Sequence, residues 1–453
     1  MITHPTLGEI SERLIAAETS AAALTDAAIF AIDDPAGQGA TAFIRRNHAR
    51  ARHLAEVSDI LRETGERRSP IDGVPISVKD LFDLAGEVTT AGSLALQNGE
   101  PAVSDAPVVR ALKRAGAVIT GTTNMSEFAF SGLGLNPHYG TPLNTFDRAT
   151  GRIPGGSSSG AAVSVTDGMA VAAIGTDTGG SIRIPAALCG LTGFKPTARR
   201  VSRDGVAPLS TSMDSIGPIA PSVSCCATLD AIIAGEELET LKPASLAGLR
   251  LAVPQTVVLD TMDPMVTAAF EGTLTRLSQA GVQLSEIEIP EFAQLASINA
   301  KGGLIAAEAW HWHRSLIDAK GEIYDPRVRS RILRGRDISG ADYLDVLAAR
   351  LAWQAQVMQR VAGFDAVILP TVPIIAPPVA PLITDDAAFF ATNALILRNP
   401  TMINFLDGCA LSVPCHQPGH APVGLMIAGG AMTDRRILSI GLAIEQALAA
   451  RTV

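Results

Sequence analysis

The chain has 453 residues, of which 47% are hydrophobic and 18% charged, and its net charge is −9. The apolar content excludes a disordered chain, and the acidic balance argues against bulk nucleic-acid binding, which relies on clustered Lys and Arg. The length suits about three domains of ~150 residues, or one large α/β unit.

Leu7, Ile10, Leu14 and Ile15 share one helical face, so an amphipathic helix is expected over 6–20. A second is expected over about 46–64, with Ala49, Leu54, Val57 and Leu61 on its apolar side. Together they predict a helical N-terminal layer over 1–65. The first residues lack the basic flank and apolar core of a secretion signal. No uninterrupted apolar run reaches ~18 residues, and the run 366–383 is broken by five prolines. The five cysteines (189, 225, 226, 409 and 415) show no CxxC or metal spacing. They read as buried free thiols of a soluble cytoplasmic protein without a metal site.

From residue 70 the pattern changes. A strand is expected at 74–78, and a helix opening at Ser104-Asp105 with Pro107 and ending at Gly116. A short strand at 117–120, a helix over 159–166 stopped by Gly168, and a strand at 169–174 follow. Later strands are expected at 249–253 and 366–369. This alternation predicts an α/β fold: a large mixed, mostly parallel sheet covered by helices on both faces. A polar stretch at 235–247 separates the two halves, and prolines 370, 373, 377, 378 and 381 predict a stiff extended loop. One domain spanning 1–453 is expected.

The informative part is rich in Gly and Ser. It reads Pro154-Gly155-Gly156-Ser157-Ser158-Ser159-Gly160, then Gly175-Thr176-Asp177-Thr178-Gly179-Gly180-Ser181-Ile182-Arg183, then Gly193-Phe194-Lys195-Pro196-Thr197. Neither a P-loop nor a G-x-G-x-x-G spacing occurs. Gly156 to Gly160 formally matches G-x-S-x-G with Ser158 as nucleophile. That elbow lacks a preceding strand and an HGGG-type loop, and His311, His313, His416 and His420 have no obvious Asp partner. A third reading joins both serine clusters. The backbone of Thr178-Gly179-Gly180-Ser181 can turn N–H groups toward a developing oxyanion, with a hydroxyl at its end for attack. The base would be Lys79, closing the strand Gly73-Val74-Pro75-Ile76-Ser77-Val78. Its pKa must fall by roughly 3 units, costing the charged form about 4 kcal/mol. Asp80 would point to the opposite side of the extended chain.

These three blocks, Gly73 to Asp80, Pro154 to Gly160 and Gly175 to Pro196, resemble the amidase signature family of serine hydrolases. The resemblance covers about 70–221, the expected catalytic core, with a late echo at Pro422-Val423-Gly424-Leu425-Met426-Ile427. It implies Ser181 as nucleophile, Ser157 as the middle serine, joined to Gly156 by a cis peptide, and Lys79 as base. It also implies an acyl-enzyme and no cofactor. Thr178, Gly179 and Gly180 would bind the oxyanion. The segment Asn124 to Gly134 occupies the place of a substrate-lining loop, which nominates Met125 and Phe128 for the pocket. Asp177 and Arg183 read as a hydrogen-bonded scaffold pair, with substrate-carboxylate binding as the alternative for Arg183. His311-Trp312-His313 reads as surface or groove, since histidines at i and i+2 do not share a helical face. The chain departs from the family's pattern at Ser159, at Ala198-Arg199-Arg200 and at Ser224-Cys225-Cys226. Asp204 stands where the glutaminase component of tRNA-dependent amidotransferases usually has Tyr. The resemblance implies hydrolysis of small linear amides, with esters or carbamates open, and no nucleic-acid or membrane partner. A homodimer stays open. The alternative is the glutaminase-type component of a tRNA-dependent amidotransferase, working with partner proteins.

Overall fold

The computed structural model describes residues 4–450 and gathers eleven strands into one sheet. The outermost three residues at each end of the expected 1–453 domain lie outside the described residues. The strands are β1 (Phe43–Arg46), β2 (Pro75–Lys79), β3 (Val118–Thr123), β4 (Ala172–Asp177), β5 (Thr192–Lys195) and β6 (Ser215–Ala220). They continue with β7 (Arg250–Pro254), β8 (Gln283–Ile287), β9 (Ala366–Pro370), β10 (Cys409–Pro414) and β11 (Gly424–Gly429). Across the sheet the order is β1-β3-β2-β4-β6-β5-β10-β11-β9-β7-β8.

Every residue of β2, β3, β4, β5, β6 and β9 is buried. A strand buried at consecutive positions is covered on both faces, so the large mixed sheet lies between helical layers as expected. The expected excess of parallel pairing is corrected. Parallel pairs occur on the two flanks, β3/β2/β4 and β9/β7/β8, while the centre from β4 through β6, β5, β10 and β11 to β9 is antiparallel. Connection length accounts for two of these pairings, parallel β2/β3 and antiparallel β10/β11. Helix Pro107–Arg114 carries the chain over from β2 to β3, whereas β10 and β11 are joined by a short loop without a helix.

The first expected helix is shorter than 6–20. It runs Leu7–Ile15, opened by Thr6 in a capping box with Glu9. A further helix, Ala21–Asp33, was not expected, because its nearly uniform Ala-rich apolar sequence shows no face contrast. Helix His48–Glu63 matches its expectation, and β1 lies between these helices and pairs with β3. The proline-rich stretch turns after β9 and ends in a short helix, Val379–Thr384, rather than staying extended throughout. Among the described residues no helix is long and apolar enough to cross a membrane. All five cysteines are free, four of them buried.

Candidate active site

Parallel pairing of β2 with β4, Val78 opposite Ile174, brings the carboxyl ends of both strands to one place. There Lys79 Nζ lies 2.7 Å from Ser157 Oγ and 2.8 Å from Thr176 Oγ1. Ser157 directly precedes the helix Ser159–Thr166 and its cap Ser158, and its peptide bond with Gly156 is cis. The Gly156 N–H donates to the Gly132 carbonyl at 2.8 Å, and the Ser126 N–H to the Ser157 carbonyl at 3.1 Å. A Cβ on Gly156 would sit 2.5 Å from the Gly134 nitrogen, so only glycine permits this approach. The Ser158 N–H donates to the Ser181 carbonyl at 3.4 Å, tying the two serine loops together. Lys79, Ser157 and Ser181, far apart in sequence, are thus drawn into one buried cluster.

Lys79 is fully buried, and among the described residues no carboxylate lies within ion-pair distance of it. Burial pulls its pKa down from 10.5 to about 7, against the opposing pull of Asp214 and Asp177. A neutral amine at ordinary pH can offer its lone pair to the Ser157 hydroxyl while an N–H donates to Thr176. Asp80 turns away, as expected, and pairs with Arg45 at 2.8 Å. Asp214 accepts from the Thr178 hydroxyl and from the Leu209 and Ser210 N–H groups, and burial raises it to about 6.

In the turn after β4, the Gly180 N–H donates to Asp177 Oδ1 at 2.8 Å. Gly180 therefore shapes the turn and does not itself point an N–H into open space. Its φ is +129°, and a Cβ there would meet Ile184 and Pro400 at 2.6 Å. Among the described residues the Gly179 and Ser181 N–H groups have no protein acceptor, which leaves them free for an oxyanion.

Asp177 and Arg183 form a bidentate pair, Nε–Oδ2 and Nη2–Oδ1 both 2.9 Å, with both side chains fully buried. Asn404 closes the network, its Nδ2 on Asp177 Oδ1 at 2.8 Å and its Oδ1 accepting from Arg183 at 2.6 Å. Burial alone would raise the Asp177 carboxyl, but the Arg183 guanidinium, Lys195 and the Asn404 amide together outweigh it and hold the group well below the usual carboxylate range. The geometry favours the scaffold reading of the pair, because Arg183 is sealed in and cannot reach a substrate carboxylate. Asp177→Asn leaves a buried guanidinium without its anion and should cost about 3–5 kcal/mol. Urea unfolding of the variant against the parent protein checks this.

Ser181, Thr178 and Gly179 open onto a cavity of about 480 Å³. The expected lining by Met125 and Phe128 is displaced along the chain. Both side chains are buried, and Ala129, Phe130 and Ser131 face the cavity instead. Phe128 and Ala129 have φ of 49° and 60°, so the chain turns sharply there. Phe128 is thereby sent into an aromatic cluster with Trp312, His313 and Tyr324. His313 is likewise not at the surface: it is fully buried and bonded to the Tyr324 hydroxyl at 2.9 Å. Among the described residues no group of three or more His, Cys, Asp or Glu is placed to hold a metal.

Sequence reading missed Thr176, Asp214 and Asn404. Thr176 reaches Lys79 only through strand pairing, which no local pattern encodes. Asn404 had a usable signal: helix Asp386–Leu406 buries Asn393, Asn399 and Asn404, and buried amides in a helix imply a polar network.

Comparison with known proteins bears on the family and the fold. The sequence model of the family described as Amidase matches residues 33–438. The chain is 35% identical to a 2-amino-5-chloromuconic acid deaminase of Comamonas testosteroni, over 98% of this chain and 96% of that protein. It is 34% identical to an amidase of Pseudomonas putida, over 98% of this chain and 96% of that one. A glutamyl-tRNA(Gln) amidotransferase component of Chloroflexus aggregans is 33% identical, over 96% of this chain and 94% of its own length. A crystal structure of an amidase superposes with a TM-score of 0.87 at 31% identity, covering 98% of this chain and 99% of that one.

Proposed function

The chain belongs to the amidase family of C–N bond hydrolases, and from that premise we propose that it cleaves small linear amides through Ser181, Ser157 and Lys79. The observation that carries this reading is the contact of a fully buried lysine with the Ser157 hydroxyl at 2.7 Å, beside a serine on a cavity wall. Neutral Lys79 takes the Ser157 proton as Ser157 takes that of Ser181, and Ser181 Oγ attacks the amide carbon. Negative charge grows on the carbonyl oxygen, where the Gly179 and Ser181 N–H groups can meet it without reorganising. Ser157 then passes its proton to the leaving amine and takes one back from the Lys79 ammonium, the C–N bond breaks, and the acyl group stays on Ser181. Water entering along the same path reverses the relay and releases the acid. Esters and carbamates present the same carbonyl to this site.

A second reading follows from the relative named as an amidotransferase component, in which a partner would receive the released ammonia. One experiment addresses both. The protein alone is incubated with a panel of aliphatic amides, aryl amides, carbamates and esters, and with a serine-reactive sulfonyl fluoride, and the adduct is mapped to a peptide. Turnover without any partner and an adduct on Ser181 support the proposal. An adduct elsewhere overturns it, and labelling of Ser181 without turnover of any amide favours the amidotransferase reading.

A further inference from the structure

The cavity that Ser181 opens onto carries an unbalanced charge. Its wall is mostly aliphatic and aromatic, with no Asp or Glu, yet two arginines, Arg331 and Arg398, reach it. Arg331 rises from helix Pro326–Leu333 and lies over the Phe130 ring, 4.3 Å from its centroid. Its one polar contact among the described residues is a donation from Nη1 to the Phe130 carbonyl. A guanidinium has five N–H donors, so most of this fork is uncommitted. Arg398 donates to the backbone carbonyls of Asp260 at 2.6 Å and Val258 at 2.9 Å, and to Asn399 Oδ1 at 3.0 Å. Among the described residues neither arginine has a carboxylate within ion-pair distance, whereas Arg148, Arg152, Arg183, Arg200 and Arg327 each do.

Both arginines are half-buried, and a cation partly screened from water and given no anion carries a cost that a ligand can offset by supplying one. Burial, with the neighbouring Arg334, lowers the Arg331 pKa only to about 10, so the charge persists at neutral pH. Its planar fork matches a carboxylate in two-point geometry better than it matches any neutral group. The low polarity of the surrounding wall strengthens that attraction.

We propose that the substrate is an amide that also carries a free carboxylate, and that Arg331 holds this carboxylate in the cavity beside Ser181. Arg398 adds a second positive charge to the same space. The inference rests on the hydrolase reading above and narrows its substrate class: half-amides of dicarboxylic acids fit, and long neutral amides do not.

Binding is the test that separates the two readings, because it needs no turnover. Calorimetry on the Ser181→Ala protein compares succinamate with butanamide, and glutaramate with pentanamide, pairs that differ only in the terminal carboxylate. At least one acid should bind about tenfold or more tightly than its neutral partner. Arg331→Met should bring the ratio close to one, and Arg331→Lys, which keeps the charge but loses the fork, should retain part of the preference. Equal or weaker binding of both acids, or a preference that survives Arg331→Met, overturns the proposal. Failure of the hydrolase reading would show instead as an unlabelled Ser181 in the parent protein.

Discussion

Ser181→Ala should lower the turnover of every amide substrate by about 10⁴-fold or more and abolish labelling by a sulfonyl fluoride. The fold should be indifferent, within about 1 kcal/mol, because the change removes one oxygen from a cavity wall. Two neighbours make the result diagnostic. Ser157→Ala breaks the proton relay and leaves the nucleophile in place, so turnover should fall by about 10²–10⁴-fold while Ser181 remains a slow target for the reagent. Ser158→Ala tests the elbow alternative. Ser158 is fully buried, and its hydroxyl lies 3.5 Å from the Thr176 carbonyl, packed against Gly175 rather than facing the cavity. Its loss should therefore leave the adduct on Ser181. An adduct that disappears with Ser158 and persists without Ser181 would transfer the nucleophile to the elbow.

The residues that meet at the candidate site were more legible in the sequence than their surroundings, and the reason is where each kind of information resides. Lys79 and Ser181 sit in short segments whose composition is unusual in itself, so local reading nominates them, whereas Ser157 is singled out among the three adjacent serines only through the family resemblance. Gly156 and Gly180 are legible for the same reason, since each occupies a place where a Cβ would collide with its neighbours. Thr176 becomes visible only when β2 is laid beside β4, and Asn404 only when a helix more than 200 residues downstream is folded back onto Asp177. The cavity wall illustrates a third limit. Its segment was recognised, but the turn at Phe128 and Ala129 decides which of its side chains face the substrate space, and composition does not encode that φ change. Sheet direction failed for a related reason: strand periodicity reveals that a segment is buried, not which way its neighbour runs.

Lys79 should impose a pH dependence on both activity and stability, in adjacent windows that meet near neutrality. Its folded pKa of about 7 lies below the ordinary value of 10.5, so the relay is armed above pH 7 and disarmed below it. The ratio kcat/KM should fall about tenfold per pH unit below 7 and level off above it. Stability follows from linkage. Between the two pKa values the unfolded chain binds a proton that the folded chain does not, so stability rises with pH across this window. Below pH 7 the folded protein carries the full penalty of a buried ammonium, roughly 5 kcal/mol for a shift of this size. Lys79→Met removes that titration while leaving Asp214, Asp230 and Glu445, whose carboxyls burial raises to about 6, 7 and 7, in both proteins. Asp214 interacts with the lysine but is raised only to about 6, so above pH 7 the difference between parent and variant is governed by the lysine. Whatever the Ser157 and Thr176 hydroxyls lose in hydrogen bonding enters at every pH alike. From pH 7 to pH 9 the parent should gain about 2 kcal/mol on the variant in urea unfolding. The variant should be inactive across the whole range. A difference that does not change with pH would mean that Lys79 keeps its ordinary pKa in the fold, and a lysine charged at pH 7 cannot accept the Ser157 proton.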